Sequence, residues 1–590
     1  MSLSENPPTV PPAKVSTKSK KKTKKSVDPS KLTPEYIEEQ RRLRNEKKQK
    51  KLLEQGEVKE EKIEFIKRPM LKVGDQVPDG SRDSLTSGDF IPSLPTGPKD
   101  GLTTDGSIHN ETRHLDGLPV KILSYNILAQ SLIRRKLFPT NGNALKWTYR
   151  SKVMLHELKH YDADILCLQE VDHIQYHSFW SKEFEKMGYL SKFYRSAIKN
   201  HGLAIVYRAS LFVCKHQSFI NYDKERASGL PFPRTITQNV GFLIHFEFKQ
   251  EILDKYPCLK QKNGLIIGTT HMFWHPFGTF ERTRQAYLVL SKFREFQNVL
   301  TSLGYNKGFY SFFAGDFNSQ PFDSPYLSIT AKPIKYVERA KKVIACSLSY
   351  QYSKNRGVVD EGKVEGEGEG EEGVEAEVGV DAEEGVEAEE AEEAPEATKA
   401  PEASEVTEDS ESPNSPNSPE DSDSTTTSQF ENGEEGGNVE KFGKDQPRDP
   451  VPDTFNATEE QLELVKQMQD VHNSLEMRAI SLYSLGYKSV HPQNAGLDNE
   501  RGEPTFSNWA HTWRGLLDYI FVVSKWDKDT EDFTQNVDSL EDLELKQSVR
   551  LLELLRLPLP EEMGPEPSGQ PRVGQYPSDH LCLMAKVELR

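Results

Sequence analysis

The chain is poor in cysteine. Its five thiols (Cys167, Cys214, Cys258, Cys346 and Cys582) are scattered and odd in number. They form neither a CxxC pair nor a Cys/His cluster, so neither a disulfide framework nor a cysteine-based zinc site is suggested. Free thiols in a reducing compartment are expected. No apolar run is long enough to span a bilayer, so no membrane partner is expected. The opening "MSLSENPPTVPPAK" has no apolar core of a signal peptide. It is Lys- and Pro-bearing rather than Arg-rich, which argues against a mitochondrial presequence. Cytoplasm, nucleus or both are the expected locations. A Walker A loop and GxSxG are both missing, which removes two large enzyme classes.

Charge is present but unevenly placed. The formal net charge is −17. Residues 361–440 alone carry 29 Asp+Glu against two lysines, a net of −27. Residues 1–60 hold 16 Lys+Arg against nine Asp+Glu. The acidity therefore belongs to one segment and says nothing about a substrate.

Composition divides the chain into four parts. Residues 1–32, with "KSKKKTKK", read as a disordered basic arm. Residues 33–117 read as a solvated helix, opened by Thr33 and Pro34, followed by a Gly/Pro/Asp-rich linker. Residues 353–455 read as an acidic disordered insertion, with EGVEAE twice and almost nothing to bury. Between and after these, 118–352 and 456–590 alternate strands with amphipathic helices and form a single α/β domain. "LPVKILSYN", "DADILCLQEVD", "GLAIVYR", "NGLIIGTTHMFW", "FYSFFAGDFN" and "WRGLLDYIFVVSK" are its clearest strands.

Several of these buried strands end on polar side chains. They are Asn126, Glu170, His271, and the pair Asp316 and Asn318. Asp518 sits inside an apolar run, and Asp579 and His580 precede the last strand. Singly, each has a structural explanation: a cap, a turn, a satisfied core histidine. Their repetition at strand ends points to a site, because α/β proteins gather ligands there and apolar strands disfavour unpaired charge. In an extended chain Asp316 and Asn318 share a face while Phe317 returns to the core. Oxygen donors without cysteine favour a hard cation, Mg²⁺ or alternatively Mn²⁺. Metal-assisted phosphodiester hydrolysis is the matching chemistry.

The motifs "LSYNILAQ", "LCLQEVD", "TTHMFWHP", "AGDFNSQP", "RGLLDYIF" and "SDHLCLMAKVEL" resemble, in order, those of the exonuclease–endonuclease–phosphatase superfamily. Within it they are most similar to the branch of the carbon-catabolite-repression deadenylases, nocturnin, angel and the yeast Ngl-type RNA exonucleases. The resemblance implies a two-sheet α/β sandwich flanked by helices, like pancreatic DNase, with the site at one edge. It implies Glu170 as principal Mg²⁺ ligand. It places Asn126, Asp316, Asn318 and His580 around the scissile phosphate and a second metal ion. Asp316 would orient or deprotonate water, His271 would stabilise transition-state charge, and Asp518 would orient a histidine. Asp579 would act beside His580. Pro276 and Trp513 would sandwich a base.

The expected activity is Mg²⁺-dependent 3′→5′ hydrolysis of RNA to nucleoside 5′-monophosphates, on poly(A) or on 3′ ends of precursor ribosomal and other stable RNA. The alternatives are a phosphatase acting on a nucleotide or terminal phosphate, and a non-catalytic RNA-binding protein. RNA is the expected partner. No leucine-rich period is present to dock the chain into a large deadenylase complex. The Lys-rich arm suits RNA phosphates or a nuclear or nucleolar address.

Overall fold

The computed structural model describes residues 65–74, 116–133, 142–350, 454–495, 501–510, 513–527, 536–563 and 570–590 without Val573, together with Ile63, Phe138, Val451 and Pro452. The basic arm, the helix expected from Thr33, most of the linker and nearly all of the acidic insertion lie outside the described residues.

Two mixed sheets stack face to face. The first runs β1 (Met70–Lys72), β14 (Val549–Leu555), β15 (Leu583–Leu589), β2 (Leu118–Asn126), β3 (Ile165–Asp172), β5 (His201–Arg208) and β4 (Tyr189–Tyr194). The second runs β10 (Met477–Ser481), β13 (Asp518–Lys525), β9 (Tyr310–Asp316), β8 (Leu265–His271), β7 (Val240–Phe248) and β6 (Phe212–Asn221). A two-stranded ribbon, β11 (Asn508–Ala510) with β12 (Trp513–Gly515), stands apart. Each large sheet has one parallel pair among its described strands, β2 with β3 and β8 with β9. A parallel connection needs a crossover. The helices Trp147–Tyr161 and Thr279–Ser302 supply the two.

Side-chain alternation along the strands assigns the layers. Val120 and Ile122 of β2, Phe312 and Ala314 of β9, and Ile520 and Val522 of β13 meet in the core between the sheets. The intervening residues face outward. Leu123 and Tyr125 pack with Met154, Leu158, Trp180 and Phe184 under the helices of the first sheet. Phe313, Tyr519 and Phe521 pack with Phe280, Leu290 and Phe293 of the long helix over the second. The result is the expected two-sheet α/β sandwich flanked by helices.

Three expectations about elements change. The linker read within 33–117 is ordered over 65–74: Met70–Lys72 pair antiparallel with β14 at the sheet edge, and Val73 donates its N–H to Leu552 O at 2.8 Å. "WRGLLDYIFVVSK" is two strands broken at Leu516–Leu517. The strand of "FYSFFAGDFN" ends at Asp316.

Candidate active site

The topology explains why polar strand ends meet. Parallel neighbours finish at the same edge, so β2 and β3 bring Asn126 and Glu170 together, and β8 and β9 bring His271 and Asp316 together. Strand β13 runs antiparallel to β9 and starts where β9 stops, with Asp518 opposite Asp316 in the register. Strand β15 runs antiparallel to β2, so His580, just before it, reaches the same edge. Asn126, His271, Asp316 and Asp518 share the parity of the inward-facing core residues on their strands. They extend the space between the sheets to its open end.

Asp316 is the hub. It is 1 % exposed. Its Oδ2 accepts from Asn126 Nδ2 at 2.9 Å and lies 3.6 Å from Nε2 of both His271 and His580. Burial raises its pKa, against the pull of the two imidazoles. His580 answers from the other side, its Nδ1 2.8 Å from Asp518 Oδ2. Burial alone would lower His580, but the carboxylates of Asp518 and Asp316 outweigh it and hold the imidazolium well above its ordinary range. Asp518 Oδ2 also accepts from Ser507 Oγ at 2.6 Å, while its Oδ1 is buried with no hydrogen-bond partner. His271 behaves oppositely. Burial pushes it down to about 4, so it is a neutral imidazole at pH 7.

Glu170 reaches this group by a backbone irregularity. Alternation after Ile165, Cys167 and Gln169 would turn it outward. The β3–β5 register shifts between Leu168 and Val171, and Glu170 adopts φ 55°. A bulge of this kind re-aims a side chain at a backbone cost of order 1–3 kcal/mol. The carboxylate is then fixed on both oxygens, accepting from Asn126 Nδ2 at 3.0 Å and from Ala129 N at 2.9 Å. His271 Nε2 is 3.9 Å away.

The remaining expected residues lie around this core. Asn318 is not the extended neighbour of Asp316 that alternation predicts. The chain turns after β9, Asn318 takes φ 47°, its N–H donates to Asp316 Oδ1 at 2.8 Å, and its side-chain amide donates to Met272 O at 3.0 Å. Phe317 is fully buried, as expected. Asp579 is pushed up to about 6, by burial first, with Glu170 adding to the rise and His580 and Arg150 opposing it. Pro276, half-buried in the loop after β8, accepts from Arg282 at 3.4 Å. Trp513 is half-buried on β12. Between β8 and Pro276, Trp274 is 57 % exposed.

Sequence reasoning missed the residues that hold the cluster in place. Ser507 fixes Asp518 and also accepts the N–H groups of Leu517 and Asp518. Ser578 Oγ donates to Asn126 O at 2.7 Å. Arg150, 1 % exposed, donates to the carbonyls of Ile127, Leu128 and Pro577. It thereby joins the end of β2 to the loop carrying Asp579 and His580. The Ser of "SDH" adjoins a predicted site; Arg150 and Ser507 carry no sequence signal.

Asp316, Asp518 and His580 each offer a ligand atom, and these atoms lie within 4.8 Å of one another. The buried carboxylates outnumber the cations beside them, the donors are oxygen and nitrogen without sulfur, and one carboxylate oxygen has no partner. These features fit a hard divalent cation.

Two stacked mixed sheets thus carry acids, an amide and imidazoles at their common edge. The chain belongs to the endonuclease/exonuclease/phosphatase family, whose profile matches residues 123–353. It is 46 % identical to RNA exonuclease NGL2 of Saccharomyces cerevisiae, over 82 % of this chain and 81 % of that protein. It is 30 % identical to the probable RNA exonuclease C9B6.11c of Schizosaccharomyces pombe, over 97 % and 91 % respectively. The crystal structure of ANGEL2, a 2′,3′-cyclic phosphatase, matches at 18 % identity and a TM-score of 0.44, over 80 % of this chain and 96 % of that one. Among the described residues no helix is long and apolar enough to cross a membrane.

Proposed function

We propose that the chain is a Mg²⁺-dependent 3′→5′ exoribonuclease that releases nucleoside 5′-monophosphates from poly(A) or from the 3′ ends of precursor stable RNA. The observation that carries the chemistry is the convergence of Asp316, Asp518 and His580. RNA as substrate is supported by the names of the two yeast relatives. Glu170, Asn126, Asp316 and Asn318 would hold one or two ions, with Asp518 holding His580, which could join them as a ligand only after giving up its proton. Bound there, the cation supplies Lewis-acid stabilisation of the phosphoryl oxygens and a more acidic water.

The protein's own groups do the rest. Asp316 takes a proton from the attacking water as the new P–O bond forms and the P–O3′ bond breaks, and the departing 3′ oxygen takes a proton from solvent to leave as the hydroxyl. Neutral His271 donates a hydrogen bond to a non-bridging oxygen rather than a charge, because burial keeps it unprotonated. The charged His580, oriented through Nδ1 by Asp518, offsets the negative charge that develops. Asn126 holds Glu170 and Asp316 in register through one amide nitrogen.

Product analysis on end-labelled RNAs with different 3′ ends, in Mg²⁺ and in EDTA, tests the reading. Stepwise shortening with 5′-monophosphate products only in Mg²⁺ is expected. Release of inorganic phosphate without shortening would replace it with a terminal phosphatase.

A further inference from the structure

The end of β3 leads directly from the site into a second concavity. After Asp172 the chain enters a short helical stretch whose first N–H, from His173, donates to Asn200 O at 2.8 Å. Against this stretch lies the edge strand β4. Between them is a cavity of about 390 Å³ lined by His173, Tyr176 and His177 on one side and Ser191–Arg195 on the other.

The lining has a definite chemistry. Tyr176 and Phe193 stack with ring centres 4.7 Å apart and planes 20° apart. Tyr176 is fixed by a 2.9 Å bond to Ser191 Oγ. The imidazoles of His173 and His177 lie 4.6 Å apart. Lys192 and Arg195 supply positive charge, and no carboxylate lines the space. One guanidinium nitrogen of Arg195 donates to the carbonyls of Ser196, Ala197 and Lys199 at 2.7–3.0 Å. This fixes a basic loop that runs back towards the site, where the Lys199 charge bears on His271. His173 is three residues beyond Glu170, so their Cα atoms are at most about 11 Å apart.

We propose that this cavity is a second nucleotide subsite, holding a base and phosphate of the single-stranded RNA away from the scissile bond. The inference rests on the exoribonuclease reading and extends it. The half-buried Phe193 ring, braced by the buried Tyr176 stacked on it, and the exposed His177 ring offer π-faces to any base, and the flanking cations supply charge for the backbone, as in sequence-tolerant single-strand grooves. A subsite of this kind makes turnover depend on substrate length.

The test uses the full chain and two surface substitutions, Lys192→Glu and His177→Ala, singly and together. Cleavage of a dinucleotide is compared with that of an oligoadenylate of about ten residues. Affinity for the labelled oligoadenylate is measured separately in EDTA. The double variant should lose about tenfold or more in kcat/KM on the longer RNA, at least tenfold beyond any loss on the dinucleotide. The salt slope of its affinity should fall by roughly 0.7 for the lost lysine contact. Equal losses on both lengths, or no loss of affinity, would overturn the subsite even if the wild type cleaves RNA normally. If the wild type binds RNA but does not shorten it, the enzymatic reading fails. The affinity comparison then decides the subsite alone.

Discussion

Tyr125 and Asn126 are neighbours on β2 and point into two different buried polar clusters on opposite faces of the first sheet. On the outer face Tyr125 donates to Glu157 Oε2 at 3.0 Å. Arg68 lies 3.6 Å from the other oxygen of Glu157 and also donates to Cys582 O at 3.0 Å. Cation and anion match there. On the inner face Asn126 meets Glu170, Asp316, Asp518 and His580, where carboxylates outnumber imidazolium and one carboxylate oxygen has no partner. Both clusters are buried and both are polar. Matched charge serves cohesion, here locking residues 65–73 and the last strand onto the sheet. Unmatched charge costs stability and persists where something else is to be bound.

The largest expected difference between the clusters is in activity. Asp316→Ala should lower single-turnover RNA cleavage by about 10²–10⁴-fold. Its thermal midpoint should match or exceed that of the wild type, because a buried, poorly compensated carboxylate is removed. Cleavage near the wild-type rate would remove Asp316 from the chemistry. A collapse of the thermal midpoint would make the inner cluster structural, like the outer one.

The outer cluster should respond the opposite way. Glu157→Ala leaves the Arg68 guanidinium buried without its counter-charge, a loss of about 3–5 kcal/mol. Chemical denaturation should show it, with the rate per folded molecule preserved. The double substitution Arg68→Met with Glu157→Leu should recover much of that loss, since a buried pair replaced by apolar residues is often neutral. A double variant as unstable as the single one would mean that hydrogen bonds to Cys582 and Tyr125, rather than charge pairing, hold this face.

Protonation sharpens the contrast within the inner cluster. In metal-free protein, histidine NMR should find His580 still charged well above pH 6.5 and His271 neutral down to about pH 4. The signs differ. His580, raised in the fold, contributes stability that is complete below its unfolded value of about 6.5 and is lost as pH rises through its folded value. His271, lowered in the fold, makes stability rise between about pH 4 and 6.5, because the unfolded chain binds the extra proton there. A shared titration midpoint for the two rings would mean that Asp518 does not hold His580 charged.

What could be read in advance follows the same division. The strand-end residues were legible because polar side chains recur where apolar strands stop, and alternation along the strands places Asn126, His271, Asp316 and Asp518 on the face of the inter-sheet core. That Glu170 points to the site was not derivable from alternation, which turns it outward. The bulge that re-aims it is a backbone event with no side-chain signature in "LCLQEVD". Asn318 was misplaced for the same reason: period-two reasoning fails once the chain leaves the extended region at Asp316. The outer cluster was invisible. Arg68 meets Cys582 across 514 residues, from a Pro-containing stretch whose three-residue strand is too short to show a period. The α/β class was readable because it depends on hydrophobic repetition, which tolerates local irregularity; the two-sheet arrangement came only from the family resemblance.

The smallest effect is expected from removing residues 351–450. Residues 351–450 lie outside the described residues, but the helices that flank them do not. Glu338–Ser349 and Glu459–Ser474 pack together on the outer face of the second sheet, with Ile344 and Leu348 beside Val465 and Met468. Gln461 Nε2 donates to Ser349 Oγ at 2.7 Å, so the chain returns where it departs. The second helix starts on its own cap, in which Thr458 and Gln461 bond reciprocally. Replacing 351–450 with a linker of about six residues shortens the closed loop roughly sixteenfold. At about 0.6 kcal/mol per doubling, this gains at most about 2.4 kcal/mol. The deletion protein should melt at or slightly above the wild-type temperature and cleave a short RNA at the same rate. Its RNA binding should tighten at low salt, because a segment of net charge −27 over 361–440 no longer repels phosphate. A lower melting temperature would show that the segment contributes contacts to the fold. Unchanged affinity across salt concentrations would show that its charge acts on something other than RNA.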